Sequence, residues 1–214
     1  MRYYPIFANL ENRIVIIVGG GPVAERKTLS LIEAGANVVV ISPDLTIALA
    51  EMVKLRQIHH LQREYQYGDL KGAVLVIAAT DSQEVNRLVA QEAETINLFV
   101  NNVNSPENST FIVPSVMSKK DLQIAISTSG QSPALTRQIR IKLENVFGPE
   151  YDIFIDVLSQ VRRQLHKMAI PEETRSVILN KLVESDILEK LKKNETEKAL
   201  EIIKNISPHT QVKI

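Results

Sequence analysis

A chain of 214 residues is long enough to bury one or two hydrophobic cores. Its 25 Lys and Arg balance 25 Asp and Glu, which argues against a general nucleic-acid binder or a polybasic membrane module. The absence of cysteine excludes disulfides, thiolate zinc sites, iron–sulfur clusters and a cysteine nucleophile.

The chain starts MRYYPIFANLENR, without an apolar signal core, and no later run reaches membrane-spanning length. The expectation is a soluble cytoplasmic protein with neither membrane nor nucleic acid as partner. Residues 14–28, IVIIVGGGPVAERKT, then place aliphatic Ile14–Val18 directly before Gly19, Gly20 and Gly21, with a helical pattern behind them. A strand, a glycine turn and a helix build a phosphate site. The helix start carries unpaired N–H groups and partial positive charge, and the missing side chains allow close approach. The spacing Gly19-x-Gly21-x-x-Ala24 is the alanine-ending dinucleotide fingerprint, so Gly19, Gly21, Pro22, Val23 and Ala24 are candidate contacts for an NAD pyrophosphate.

Further aliphatic runs follow at 37–41, 74–80 and 98–103, with a weaker edge strand at 58–62 and helices expected at 23–34, 46–55 and 82–95. This alternation predicts an α/β, Rossmann-type doubly wound parallel sheet over residues 1–113. A strand at 121–127 and a helix at 132–147 follow, the helix with Ser132 as N-cap, Pro133 inside it, and Gly148-Pro149 as its stop. We read 114–148 as a dimerisation and substrate segment, and 149–214 as a small all-helical C-terminal domain. In that domain Ile153, Val157, Val161 and Leu165 form one apolar stripe. Val177, Ile178, Leu182 and Val183 form a second, and Ala199, Leu200, Ile203 and Ile206 a third. So few short helices make a thin core, and the expectation is that they pack on the first domain or on a second subunit.

Ligands of such sheets gather at the carboxyl ends of the strands. Ser42, Pro43 and Asp44 end the second strand, where an acid usually binds the adenosine ribose; here Ser42 takes that place and Asp44 lies two residues on. Either could bond the ribose, or the segment is a helix-entry turn. No Arg lies in 37–49, which favours NAD over NADP. Thr80 and Asp81 end the next strong strand and either line the cofactor or serve helix packing, with Asp81 or Ser82 as cap. Asn101, Asn102 and Asn104 close the last strand. Ser127, Thr128, Ser129 and Gly130 precede a helix bearing Arg137 and Arg140, a set that could bind carboxylates or be a capped helix with a solvated basic face. His59, His60, His166 and His209 form no metal-ligand spacing, so no protein metal site is expected. His59 and His60 read as a solvated strand.

Several of these motifs in order, YPIFANLENRIVIIVGGGPVAERK, the ATD of 79–81 followed by Asn86, the FIVPS of 111–115 and the STSGQSPALTR of 127–137, resemble the precorrin-2 dehydrogenase family. That family includes free-standing siroheme-pathway dehydrogenases and the N-terminal dehydrogenase/ferrochelatase part of siroheme synthase. The likeness covers most of residues 1–148. It implies NAD-dependent oxidation of precorrin-2 to sirohydrochlorin in siroheme biosynthesis by a homodimer; a groove with Arg137, Arg140 and the start of the 132–147 helix would suit the substrate's carboxylates, and Asn101, at a strand's carboxyl end, could meet substrate or nicotinamide. In dehydrogenase/chelatase members an Asp credited with base catalysis and metal insertion stands where this chain has Asn104. An amide cannot take a proton at working pH, which puts the chelatase reaction in doubt. A hydroxyl that is a phosphorylatable Ser in some members is Thr128 here. Two alternatives stay open: a bifunctional dehydrogenase/ferrochelatase, and a non-catalytic dimeric NAD-sensing module.

Overall fold

The structure, a computed structural model, describes residues 3–214; Met1 and Arg2, the start of the expected first domain, lie outside the described residues. The chain forms two compact units, one ending at Val113 and one running Pro114–Ile214.

The first unit contains strands β1 (Ile14–Val18), β2 (Asn37–Ile41), β3 (His59–Leu61), β4 (Leu75–Ala78) and β5 (Phe99–Asn102), with helices α1 (Pro22–Glu33), α2 (Ile47–Lys54) and α3 (Gln83–Thr95). All strands are parallel, in the order β3-β2-β1-β4-β5. Consecutive aliphatic residues suit them because both faces are covered. Val15 and Ile17 pack with Ala24 and Leu31 of α1 and Leu49 and Met52 of α2. Ile16 and Val18 face the other way, onto Val89, Ala90 and Ala93 of α3. The chain winds outward from β1 to β2 and β3, then returns to β4 on the other side of β1. The β1/β4 boundary is therefore the topological switch point, where crevices open in such sheets. The returning segment, residues 62–74, contains neither helix nor strand.

The second unit opens with an antiparallel hairpin of β6 (Ser115–Lys119) and β7 (Leu122–Ile126), followed by α4 (Pro133–Val146), α5 (Pro149–Lys167), α6 (Glu172–Val183), α7 (Ile187–Lys192) and α8 (Thr196–Ile206). Strand β6 was not expected, because SVMSK is short and buries one large side chain, Met117. Gly148-Pro149 ends α4 as expected and also starts α5, with Gly148 its N-cap and Pro149 its first residue. Phe147 and Tyr151 bridge this junction with ring centroids 4.8 Å apart. Lys120, in the hairpin turn, pairs with Asp156 of α5.

The helical tail corrects the expectation of a thin core. Phe154, Val157, Val161 and Leu165 of α5 pack with Leu182 of α6, Ile187 and Leu191 of α7, and Ala199 and Ile203 of α8 in one buried cluster. The unforeseen α7 supplies the extra apolar contacts. Phe154 displaces Ile153 from the stripe, and Val177 and Val183 are exposed at 51% and 58%. Leu182 is fully buried at the centre of this cluster, so Leu182→Ala should cost ~2–5 kcal/mol, read from urea unfolding of the full chain. A loss below ~1 kcal/mol would mean that the cluster is not packed as described.

Candidate functional site

The glycine turn is built from close approaches as well as from backbone freedom. Gly19 has φ +121, and a Cβ there would lie 2.3 Å from the Ala79 carbonyl oxygen. A Cβ on Gly20 would lie 1.9 Å from the Asp44 carbonyl oxygen. These two glycines let the turn nest against the ends of β4 and β2. Gly21 differs: a Cβ there meets no atom within 4 Å. It is the N-cap of α1 and supplies no side-chain cap, so the first N–H groups of that helix have no side-chain acceptor. Ala24, fully buried, lets α1 approach the sheet closely.

A cavity of about 510 Å³ lies over this turn. It brings together Gly19–Val23 after β1, Ser42–Thr46 after β2, Glu64 and Tyr65 after β3, and Ala79–Ser82 with Val85 after β4. The predicted cofactor set Gly19, Gly21, Pro22, Val23, Ser42, Pro43, Asp44, Thr80 and Asp81 all line it; Ala24 sits behind it as a packing residue. Sequence reading missed Leu45, Thr46, Glu64, Tyr65 and Val85. The signal for Glu64 and Tyr65 was their place after the weak strand at 58–62.

Local hydrogen bonds fix this rim. Gly19 N–H donates to the Ile41 carbonyl (2.9 Å) and Thr46 N–H to the Gly20 carbonyl (2.9 Å). Thr46, not the Ser-Pro-Asp segment, caps α2, accepting from Leu49 N–H. Ser82 caps α3, accepting from Val85 N–H, so Asp81 is free of that duty. Buried Asn86 clamps Thr80: its Oδ1 accepts from the Thr80 N–H (3.1 Å) and hydroxyl (2.8 Å), and its Nδ2 donates to the Thr80 carbonyl (2.9 Å). His60 is not the solvated residue expected; its Nε2 lies 2.9 Å from the Ser42 carbonyl oxygen.

The ionisable side chains lining the cavity are Asp44, Glu64, Tyr65 and Asp81, with no Lys, Arg or His among them. A diphosphate here meets no side-chain cation and relies on backbone N–H groups, neighbouring hydroxyls and the α1 dipole, and a further phosphate near the acids would be repelled. Tyr65 bonds to Glu92, and burial together with that carboxylate pushes its phenol well above the ordinary tyrosine range. Arg63 grips Asp69 with two 2.7 Å bonds, which hold the Asp69 carboxyl below the usual range.

The asparagines stand apart. Asn101 donates to the Phe111 carbonyl (3.2 Å) and does not line the cavity. Asn104 is exposed; its Nδ2 donates to the Thr80 carbonyl (3.2 Å), which puts it against a lining residue. In the second unit the 127–130 turn spends much of its polarity on itself. Ser127 Oγ accepts from Ser129 N–H (3.0 Å), and Thr128 Oγ1 from Ser132 N–H (2.9 Å). Ser129 and Gly130 both have positive φ. Arg140 pairs with Glu144 on its own helix, whereas Arg137 is exposed and makes no ion pair among the described residues.

Comparison with known proteins points the same way. A family model described as "Putative NAD(P)-binding" matches residues 6–115, and one described as "Sirohaem biosynthesis protein central" matches 119–145. The siroheme synthase of Methylobacillus flagellatus is 44% identical over 151 residues, 71% of this chain and 32% of that protein. Siroheme synthase 3 of Aeromonas hydrophila is 46% identical over 144 residues, 67% of this chain and 31% of its own length. The chain thus spans about a third of the length of these curated relatives. Among solved structures, SirC, a precorrin-2 dehydrogenase, superposes with a TM-score of 0.82 at 25% identity, covering 97% of this chain and all of that one. With the crevice at the switch point and the open Gly21 on the same turn, the chain belongs to the family whose model is described as putative NAD(P)-binding, and it is similar to the precorrin-2 dehydrogenase SirC and to about a third of the length of siroheme synthases.

Proposed function

We propose that the chain is an NAD-dependent dehydrogenase converting precorrin-2 to sirohydrochlorin. The observation that carries this is the open approach to the uncapped start of α1 at Gly21, inside a cavity that collects the ends of β1 to β4. A pyrophosphate fits there, because a side chain at Gly21 would fill the space it needs. Gly19, Gly21, Pro22 and Val23 would hold the diphosphate, Ser42 and Asp44 the adenosine ribose, and Thr80 and Asp81 the middle of the cofactor. Held by these residues, NAD would supply the acceptor for the hydride of the reduced tetrapyrrole. The acidic lining favours NAD over NADP, since Asp44 and Glu64 oppose a 2′-phosphate. Arg137 and the turn at Ser127, Thr128, Ser129 and Gly130 are our candidates for the substrate carboxylates. Arg140, already paired, and Asn101, bonded to Phe111, are weaker ones. A cytoplasmic homodimer is part of the reading. No helix among the described residues is long and apolar enough to cross a membrane.

The chain's own residues position the cofactor, and the place of the family's catalytic Asp is held by an amide. Asn104 abuts Thr80 but cannot accept a proton, so the protons leave to water, another group or the substrate's carboxylates. Metal insertion into sirohydrochlorin, with the metal as co-substrate, should be little faster than without protein. Asn104→Asp should raise the dehydrogenation rate by about a hundredfold, the lower end of what a general base contributes, and accelerate cobalt or ferrous insertion. It forfeits the hydrogen bond that the side-chain amide donates to the Thr80 carbonyl, so a small fall in melting temperature should accompany the gain. Incubating precorrin-2 with NAD and following NADH formation and sirohydrochlorin tests the reading. Tight NAD binding without NADH formation would instead favour the sensing module.

A further inference from the structure

Glu92 is a buried carboxylate with no part in the chemistry above. It is 2% exposed, on α3, and belongs to neither the glycine turn nor the Thr80 clamp. Its two oxygens accept from three donors of the segment that returns from β3 to β4: the Tyr65 hydroxyl, Gly68 N–H (2.9 Å) and Leu70 N–H (3.1 Å). That segment forms no helix or strand, so its backbone donors need partners from elsewhere. Arg63 and Asp69 close it from within, Asp69 also accepting from Gln66 N–H (2.8 Å). Leu70, fully buried, anchors it in the core beneath α3. The long-range part of the polar stitching therefore comes from one side chain, Glu92.

Of the residues it holds, Tyr65 faces the cavity. Tyr65 and Val85 both line it and both pack on the α3 side of the sheet core. A dinucleotide with its diphosphate at Gly21 must send one nucleoside toward β2 and β3, where Ser42, Asp44, Glu64 and Tyr65 lie. An acid or hydroxyl at the end of β2 meets the adenosine ribose, so that nucleoside is adenosine. Purine faces bind flat aromatic and apolar walls.

We infer that Glu92 is a positioning residue for the cofactor: by tethering Tyr65 and residues 68–70 it fixes the wall against which the adenine lies. It acts on affinity for the adenosine half and not on the reaction at the other half. The inference rests on the proposed cofactor reading.

The test uses the full chain, with NAD and ADP-ribose as probes in isothermal titration and steady-state rates alongside. Glu92→Gln puts an amide N–H against one of the donors, and Tyr65→Ala removes the ring itself. Both should weaken ADP-ribose and NAD by about tenfold, the effect of losing an aromatic base contact. kcat at saturating NAD and KM for precorrin-2 should hold within about twofold. Tyr65→Phe keeps the ring and loses only the tether, and should weaken both probes by about threefold. A merely structural role would lower kcat and the melting temperature together without this split, and that pattern overturns the inference. Should Glu92→Gln fail to fold, the tyrosine variants decide. Unchanged ADP-ribose affinity in Tyr65→Ala, with wild type still binding NAD, overturns the inference alone. No NAD binding by wild type overturns the cofactor reading, and this inference with it.

Discussion

Gly21→Val will fold with a melting temperature close to that of the wild type, yet bind NAD about a hundredfold more weakly, a loss of ~2.8 kcal/mol. The backbone at Gly21 has φ −85 and ψ −175, an extended conformation open to any residue. An added Cβ meets nothing within 4 Å, so the fold has no reason to object. The same open space lies above the helix start where a diphosphate must approach, and a branched side chain would block it. The neighbouring glycines should behave in the opposite way. Gly20→Ala drives a methyl into the Asp44 carbonyl, and overpacking of this kind costs ~1–3 kcal/mol or more. Gly19→Ala adds to its collision with the Ala79 carbonyl the ~1–2 kcal/mol strain of positive φ. Calorimetric melting beside NAD titration separates the two behaviours. A Gly21→Val protein that binds NAD normally would remove the phosphate site from the account.

The second large effect falls on Asn86. Asn86→Leu keeps the branched outline of the side chain but removes the acceptor oxygen, which takes two bonds, and the donor that together clamp Thr80, in a position only 1% exposed. Leaving the Thr80 N–H and carbonyl without these partners should cost ~2–4 kcal/mol. Because Thr80 and Asp81 line the cavity, KM for NAD should rise with the loss of stability. Asn86→Asp retains the acceptors but turns a carboxylate oxygen toward the Thr80 carbonyl, and should fall between wild type and leucine. Chemical unfolding and steady-state kinetics on the same preparations check both statements.

Residues differ in how openly they announced these roles. The ends of β1 and β2 can be read from sequence because the β-branched runs IVIIV and VVVI are cut short, by the glycines after Val18 and by Ser42-Pro43 after Ile41. The cavity's first half follows from them, since the switch-point rule converts strand ends into a site. The return from β3 to β4 left no such mark. Its order depends on Glu92, which bonds to Tyr65 at a separation of 27 residues, and a distant polar contact creates no periodicity. Hence Glu64 and Tyr65 went unread although the strand before them was seen. The asparagine-rich stretch was ambiguous for another reason. Polar loop residues either face a ligand or satisfy one another, and here Asn101 and Asn102 mostly do the latter. In the tail the apolar stripes were visible, but α6 offers apolar side chains on more than one face. Only packing against α5, α7 and α8 selects Leu182 over Val177 and Val183.

The most direct measurement is a crystal structure of the protein with NAD bound. The account predicts a pyrophosphate within hydrogen-bonding reach of the backbone N–H groups at Gly21 and the first turn of α1. It puts the adenosine beside Ser42, Asp44 and Tyr65, and the nicotinamide half beyond Thr80 and Asp81. Density for the dinucleotide away from the glycine turn, or a chain that takes up no NAD at concentrations saturating for its relatives, would contradict it.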